Sequence, residues 1–127
     1  MKRQVLAVAI GLCSIFSVGA SYAAHDAKTC STTCKDCADV CQKALDYCTK
    51  KGGAHAKAAH IGLLKDCITM CKTNSELRGR GSKVADETSK ICAQLCTDCA
   101  KSCEDLKDSK LKDCVASCKS CADCCSN

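Results

Sequence analysis

The chain of 127 residues contains no proline and no tryptophan, and only one phenylalanine and two tyrosines. Without proline nothing enforces a kink or a polyproline segment, so long helices can run uninterrupted. Phe16 and Tyr22 both lie in the first 24 residues, which leaves Tyr47 as the single aromatic side chain beyond them. A surface that stacks bases or sugar rings needs several aromatic faces, and one tyrosine cannot supply it. The formal charge is +5, or +3 without Lys2 and Arg3, and it is spread evenly. That is not the footprint of a nucleic-acid binder. Period-2 alternation is absent, so strands have no support. Equally absent are a glycine-rich phosphate loop and an acid–base pair beside a nucleophile, and no enzyme is expected. Cys34-x-x-Cys37 lies inside a helical pattern, whereas a thiol oxidoreductase carries such a pair at a helix start in a βαβ setting.

Long apolar runs are also scarce. Val5 to Val18 is the one such stretch; it follows Lys2 and Arg3 and precedes the small residues Ser21 and Ala23. This is the pattern of a secretory signal, cut after Ala23 or Ala24, and the run is shorter than the roughly 20 residues of a membrane span. Residues 1–24 are therefore expected to be a signal peptide and 25–127 a single cysteine-rich domain, exported to the periplasm or beyond and free of the membrane once the signal is removed.

What the chain has in abundance is cysteine, 17 residues in all and sixteen without Cys13. Composition alone reads as a disulfide scaffold, for which roughly 8–10% cysteine is the usual mark. Spacing points elsewhere. Cys92, Cys96, Cys99 and Cys103 form C-x3-C-x2-C-x3-C, and the same pattern recurs at Cys30, Cys34, Cys37, Cys41 and at Cys114, Cys118, Cys121, Cys125. Alternating steps of three and four place side chains on one stripe of an α-helix. One helix is predicted from Ala27 to Lys50, its stripe ending at Cys48, and a second from about Ala54 to Asn74 with Ala56, His60, Leu63, Leu64, Cys67 and Cys71. Asn74 to Ser82 reads as the longest loop. A third helix is expected from an N-cap at Ser82 to about Leu106, and a fourth carries Leu111 and Cys114 to Cys125, with Cys124 beside the stripe. Four such helices joined by short connections make an all-α, antiparallel four-helix bundle. Ordinary aliphatic residues are too few to fill its core, so the cysteines must.

Three uses of a thiol core compete. A buried cysteine can act as a small hydrophobe, but alanine or valine would pack as well without the oxidation hazard. Disulfides within a helix fit badly, because residues four apart have Cβ atoms about 5–6 Å apart against about 3.5–4.5 Å in a disulfide. Disulfides between helices stay open, so a disulfide-braced helical extracytoplasmic module is one alternative. Metal ligation fits better. Thiolates select ions such as Cu(I) and Zn(II). With metal–sulfur bonds of about 2.3 Å, a linear S–M–S unit needs sulfurs roughly 4.5 Å apart, within reach of a helical C-x3-C pair, whereas Zn(II) needs four sulfurs in a tetrahedron. Many uncompensated thiolates cannot be buried; if each bridges two Cu(I) ions and each ion takes two thiolates, the core is neutral. A zinc-thiolate buffer is the nearer alternative.

Three such cysteine helices in a short bundle resemble the bacterial four-helix-bundle copper storage proteins. The resemblance covers essentially the whole chain after the signal. It implies storage or sequestration of multiple Cu(I) ions as cargo, held mostly by pairs of thiolates. The candidate ligands it implies are Cys30, Cys34, Cys37, Cys41, Cys48, Cys67, Cys71, Cys92, Cys96, Cys99, Cys103, Cys114, Cys118, Cys121 and Cys125, with Cys124 beside them. A homotetramer and a copper donor or acceptor protein are further implications. His60, on the stripe of the second helix near Cys48, reads either as a ligand that passes Cu(I) to the thiols or as a histidine at the helix end. His55 is expected on the surface, His25 in the N-terminal segment, and Met70 in the core.

Overall fold

The computed structural model describes residues 27–126. The expected signal peptide, Cys13, His25 and Asp26 lie outside the described residues. Four helices account for most of the described chain: α1 (Ala27–Lys51), α2 (Ala58–Gly79), α3 (Ala85–Asp105) and α4 (Lys112–Cys125). Single 3-10 turns precede α2 (Gly53–Ala56) and α4 (Ser109–Leu111). No strand occurs among the described residues. Each helix packs on the next, and α4 closes the ring against α1. The result is the antiparallel four-helix bundle expected from the cysteine stripes.

Helix ends are set by local chemistry. Gly52 and Gly53 both have positive φ, 71° and 58°, a region open to glycine at little cost, and they stop α1 just after Lys50 and Lys51, whose charges suit a helix C-terminus. Asp108 caps the turn into α4 by accepting from the Lys110 backbone N–H at 3.0 Å.

Two boundaries depart from the sequence expectation. Helix α2 does not end at Asn74 but runs to Gly79, and α3 starts at Ala85 with Val84, not Ser82, in the cap position. Tertiary contacts outweigh local propensity here. The Ser31 and Ser75 hydroxyls each donate to the other residue's carbonyl at 2.7 Å. A Cβ added to Gly79 would meet Ser31 Oγ at 3.2 Å, so glycine lets α1 and α2 approach closely at this end. Asn74 is fully buried, and its polar partners lie within the bundle.

All sixteen described cysteines are buried. Leu64, Ile68, Leu111 and a few alanines complete the core, while Val40, Leu45, Tyr47, Ile61, Met70, Leu106 and Val115 pack half-buried at its edge. No helix among the described residues is long and apolar enough to cross a membrane.

Candidate metal centre

The stripes of four antiparallel helices converge on one axis, and thiols on different helices come into contact. Cys41 Sγ lies 3.5 Å from Cys118 Sγ and 3.7 Å from Cys114 Sγ. Cys71 Sγ lies 3.5 Å from Cys96 Sγ and 3.7 Å from Cys92 Sγ. Four groups of four sulfurs have all their members within 4.8 Å of one another: Cys34, Cys92, Cys121, Cys125; Cys37, Cys71, Cys96, Cys121; Cys37, Cys41, Cys67, Cys118; and Cys41, Cys99, Cys114, Cys118. Taken in that order each group shares at least one cysteine with the next, so the groups form a continuous file along the bundle axis. Beyond the last, Cys103 Sγ stands 3.8 Å from Cys114 Sγ.

Two of the candidate ligands are differently disposed. Cys30 and Cys124, counted from the sequence among the ligand thiols, are bonded to one another as a disulfide, with Cα atoms 5.7 Å apart. The start of α1 and the end of α4 lie side by side, so this is the inter-helix bond that the spacing left open. The other fourteen cysteines are free thiols. Cys124, off the stripe by sequence, is buried because its position faces α1 rather than the axis.

Hydrogen bonds among the sulfurs polarise the file. Cys37 is drawn far below the ordinary thiol range, chiefly by Cys118 and then Cys121, against the opposing effect of burial. Cys34 is drawn down by Cys121 first, with Cys125 and Cys92 behind it. Cys41 is pushed up, chiefly by Cys114, and Cys71 chiefly by Cys121, with burial adding to both. A sulfur surrounded by S–H donors gives up its proton readily, and its donors then hold theirs.

At the end away from the disulfide, His60 is buried. Its Nε2 lies 3.4 Å from Cys48 Sγ and its Nδ1 2.7 Å from Ser102 Oγ. Burial pushes the His60 imidazole below its usual range and the Cys48 thiol above its own. A neutral imidazole beside a thiol is a workable soft-metal pair. Met70 is half-buried and stands outside the four-sulfur groups.

His55 is not on the surface as expected. It is buried, its Nε2 3.0 Å from Asp108 Oδ2 and its ring edge-on to Tyr47 at 6.0 Å. The same carboxylate oxygen accepts from Tyr47 Oη at 2.6 Å and Lys51 Nζ at 2.8 Å. The hydrogen bond from Lys51, then that from Tyr47, holds the Asp108 carboxyl well below the usual carboxylate range. This cluster ties the end of α1 and the turn after it to the α3–α4 connection, beside the His60 end of the file.

Sequence reasoning missed Asn74. It lies three residues beyond Cys71, the next step of the α2 stripe, so the periodicity marked it; reading asparagine as a loop residue hid it. Its amide nitrogen is 3.5 Å from Cys34 Sγ and 3.4 Å from Cys125 Sγ.

Residues 22–127 match the family model described as copper storage protein. A protein of known crystal structure from Nitrosospira multiformis superposes with a TM-score of 0.74 at 32% identity, over 79% of this chain and 91% of that one. The Cu(I)-bound copper storage protein BsCsp3 superposes with the same TM-score at 23% identity, over 79% of this chain and 94% of its own, a likeness of fold. No curated protein matches the chain.

Proposed function

The chain belongs to the copper storage protein family, and from that premise we propose that it stores copper by binding many Cu(I) ions along its file of core thiols. One observation carries the reading: the four-sulfur groups share cysteines from one to the next. Separate tetrahedral ions could not fill all four groups at once, because they would compete for the shared cysteines. A shared sulfur can bridge two ions, and when each thiolate bridges two Cu(I) and each ion takes two thiolates, the buried core stays neutral. The proposed ligands are the fourteen free thiols, with His60 as a further ligand beside Cys48 and Cys30 and Cys124 joining them only if their disulfide is reduced.

Further parts of the reading rest on the sequence. The charged and apolar pattern of residues 1–24 supports an exported, periplasmic protein, and the family resemblance implies a homotetramer. Copper would then arrive from, or leave to, a donor or acceptor protein. Cell fractionation with mass measurement of the mature chain tests export; a mature protein that retains residues 1–24 in the cytoplasm refutes it.

The deciding experiment is an anaerobic titration of Cu(I) into the protein against a chromogenic chelator. Tight uptake approaching one ion per free thiol is expected. Saturation at one or two equivalents sinks the storage reading and leaves a structural thiol bundle.

A further inference from the structure

The group formed by Cys34, Cys92, Cys121 and Cys125 differs from the other three. Among the described residues, the cysteines of those three groups hydrogen-bond through their side chains only to other sulfurs, save where they share a member with this one. Cys34 and Cys125 also receive the two N–H donors of Asn74, at 3.5 and 3.4 Å.

The orientation of that amide is dictated from outside the core. Arg78 Nε donates to Ser89 Oγ at 2.7 Å, and arginine has no acceptor. The Ser89 hydroxyl hydrogen is therefore turned to Asn74 Oδ1, 3.1 Å away, which also accepts from Thr88 Oγ1 at 2.8 Å. With its oxygen so engaged, Asn74 must present its NH2 to the sulfurs. A relay of hydrogen bonds thus runs from the Arg78 guanidinium at the rim, which also faces Asp86 at 3.6 Å, to one end of the thiol file. Asn74 and Ser89, its inner members, are both buried.

Charge and shape then agree. Sulfurs around an ion with metal–sulfur bonds of about 2.3 Å in a tetrahedron are separated by about 3.8 Å. Here the separations are 3.4 Å for Cys34–Cys121, 3.6 Å for Cys34–Cys125, 3.9 Å for Cys92–Cys121 and 4.0 Å for Cys121–Cys125. A divalent ion with four thiolates keeps two negative charges, which a dry core tolerates only beside hydrogen-bond donors. The Cys30–Cys124 disulfide, one turn before Cys34 and adjacent to Cys125, pins two of the ligand helices, which suits an ion that demands fixed geometry. A surface groove of about 620 Å³, lined by Arg78, Asp86, Lys90 and Gln94 among others, borders Cys125.

The geometry points to a selective site for one tetrahedral, thiophilic divalent cation of the Zn(II) class at Cys34, Cys92, Cys121 and Cys125, with Asn74 as its positioning residue. Binding converts four thiols to thiolates and releases four protons to solvent. The site lies within the cargo core and rests on the storage reading only in taking these cysteines as metal ligands.

The test titrates the disulfide-intact, otherwise reduced protein anaerobically with Zn(II) against a chromogenic chelator, and with Co(II) as a spectroscopic probe. One equivalent should bind ahead of any other and give the intense visible bands of a tetrahedral tetrathiolate. Asn74→Leu should weaken that first equivalent by about tenfold or more, the usual effect of losing a partner that orients a ligand. Arg78→Met, at the rim and outside the four sulfurs, should weaken it in the same direction and serves if Asn74→Leu fails to fold. Several equivalents of equal affinity, no tight uptake, or unchanged affinity in both variants overturns the site. So does a loss in the variants that reduces Zn(II) and Cu(I) uptake alike, which marks a packing defect. Wild-type protein that loads many Cu(I) but no selective Zn(II) refutes this inference alone; one Zn(II) with no Cu(I) loading refutes storage and leaves the site standing.

Discussion

Cys37 Sγ lies 3.8 Å from Cys118 Sγ, and each of these sulfurs belongs to two four-sulfur groups at once. Cys99, by contrast, belongs to one. If sharing reflects bridging, the two kinds of position differ in copper capacity. Cys37→Ser or Cys118→Ser should each lower Cu(I) uptake by more than Cys99→Ser does, since a sulfur common to two groups can bridge ions between them. Equal losses at all three positions, by the same anaerobic titration, would show that the sulfurs act independently.

A core of small thiols offers less apolar surface per side chain than one of leucine, so the metal-free bundle should be weakly stable, and ions that bind only the folded form should add to its stability. The melting temperature is expected to climb with each Cu(I) equivalent added. Identical melting of metal-free and loaded protein would separate folding from loading and contradict this coupling.

The repeated C-x3-C-x2-C-x3-C spacing made the bundle legible from the sequence, because a period of three and four admits only a helix stripe and three such stripes must face one another. What the spacing could not carry were interactions between residues distant in the chain. Asn74 and His55 are ordinary loop and surface residues by composition; they are buried because Ser89 and Thr88, and Asp108 and Tyr47, wait for them across the fold. Likewise the pairing of Cys30 with Cys124 depends on the lateral placement of two helix ends 94 residues apart. The stripe tells which cysteines face inward but not which meet first.

That disulfide closes a loop of nearly the whole described chain. Chain-entropy arguments give a cross-link across 94 residues about 4.7 kcal/mol of stabilisation. The Cys30→Ser/Cys124→Ser variant should therefore unfold at clearly lower denaturant concentration than the oxidised protein. Alkylation in denaturant without reductant should label the other fourteen cysteines of residues 27–126, which are buried in the fold, and spare these two. Labelling of all sixteen in freshly purified protein would mean that the bond is not formed in solution.

Gly52 and Gly53, at φ 71° and 58°, provide the turn that ends α1. Neither has a neighbour that an added Cβ would strike, so the cost of substitution is conformational alone. Gly52, at φ 71° and ψ −164°, sits in a region essentially confined to glycine, so Gly52→Ala should cost about 1–3 kcal/mol and lower the melting temperature by about 4 °C or more in a domain of this size. No change in melting would place the turn in a different conformation in solution.

Asp108 gives the bundle a dependence on acid that the thiols do not. Its carboxyl is held below the usual range by Lys51 first, then Tyr47, the Lys110 backbone N–H and His55. The folded form thus binds the proton less readily than the unfolded chain, where the group titrates near its ordinary value of about 3.9. The stabilisation is fully present above that value and is lost as pH falls from it toward the lower folded value. Lys51 mirrors this on the alkaline side: Asp108 raises it to about 12, so its share is present below about 10.4, the unfolded value, and disappears as pH rises through 12. Thermal melts of metal-free protein should fall on acidification below about pH 4, and Asp108→Asn should flatten that part of the profile while lowering stability at neutral pH. An unaltered acid profile in the variant would show that the acid sensitivity resides in other carboxylates.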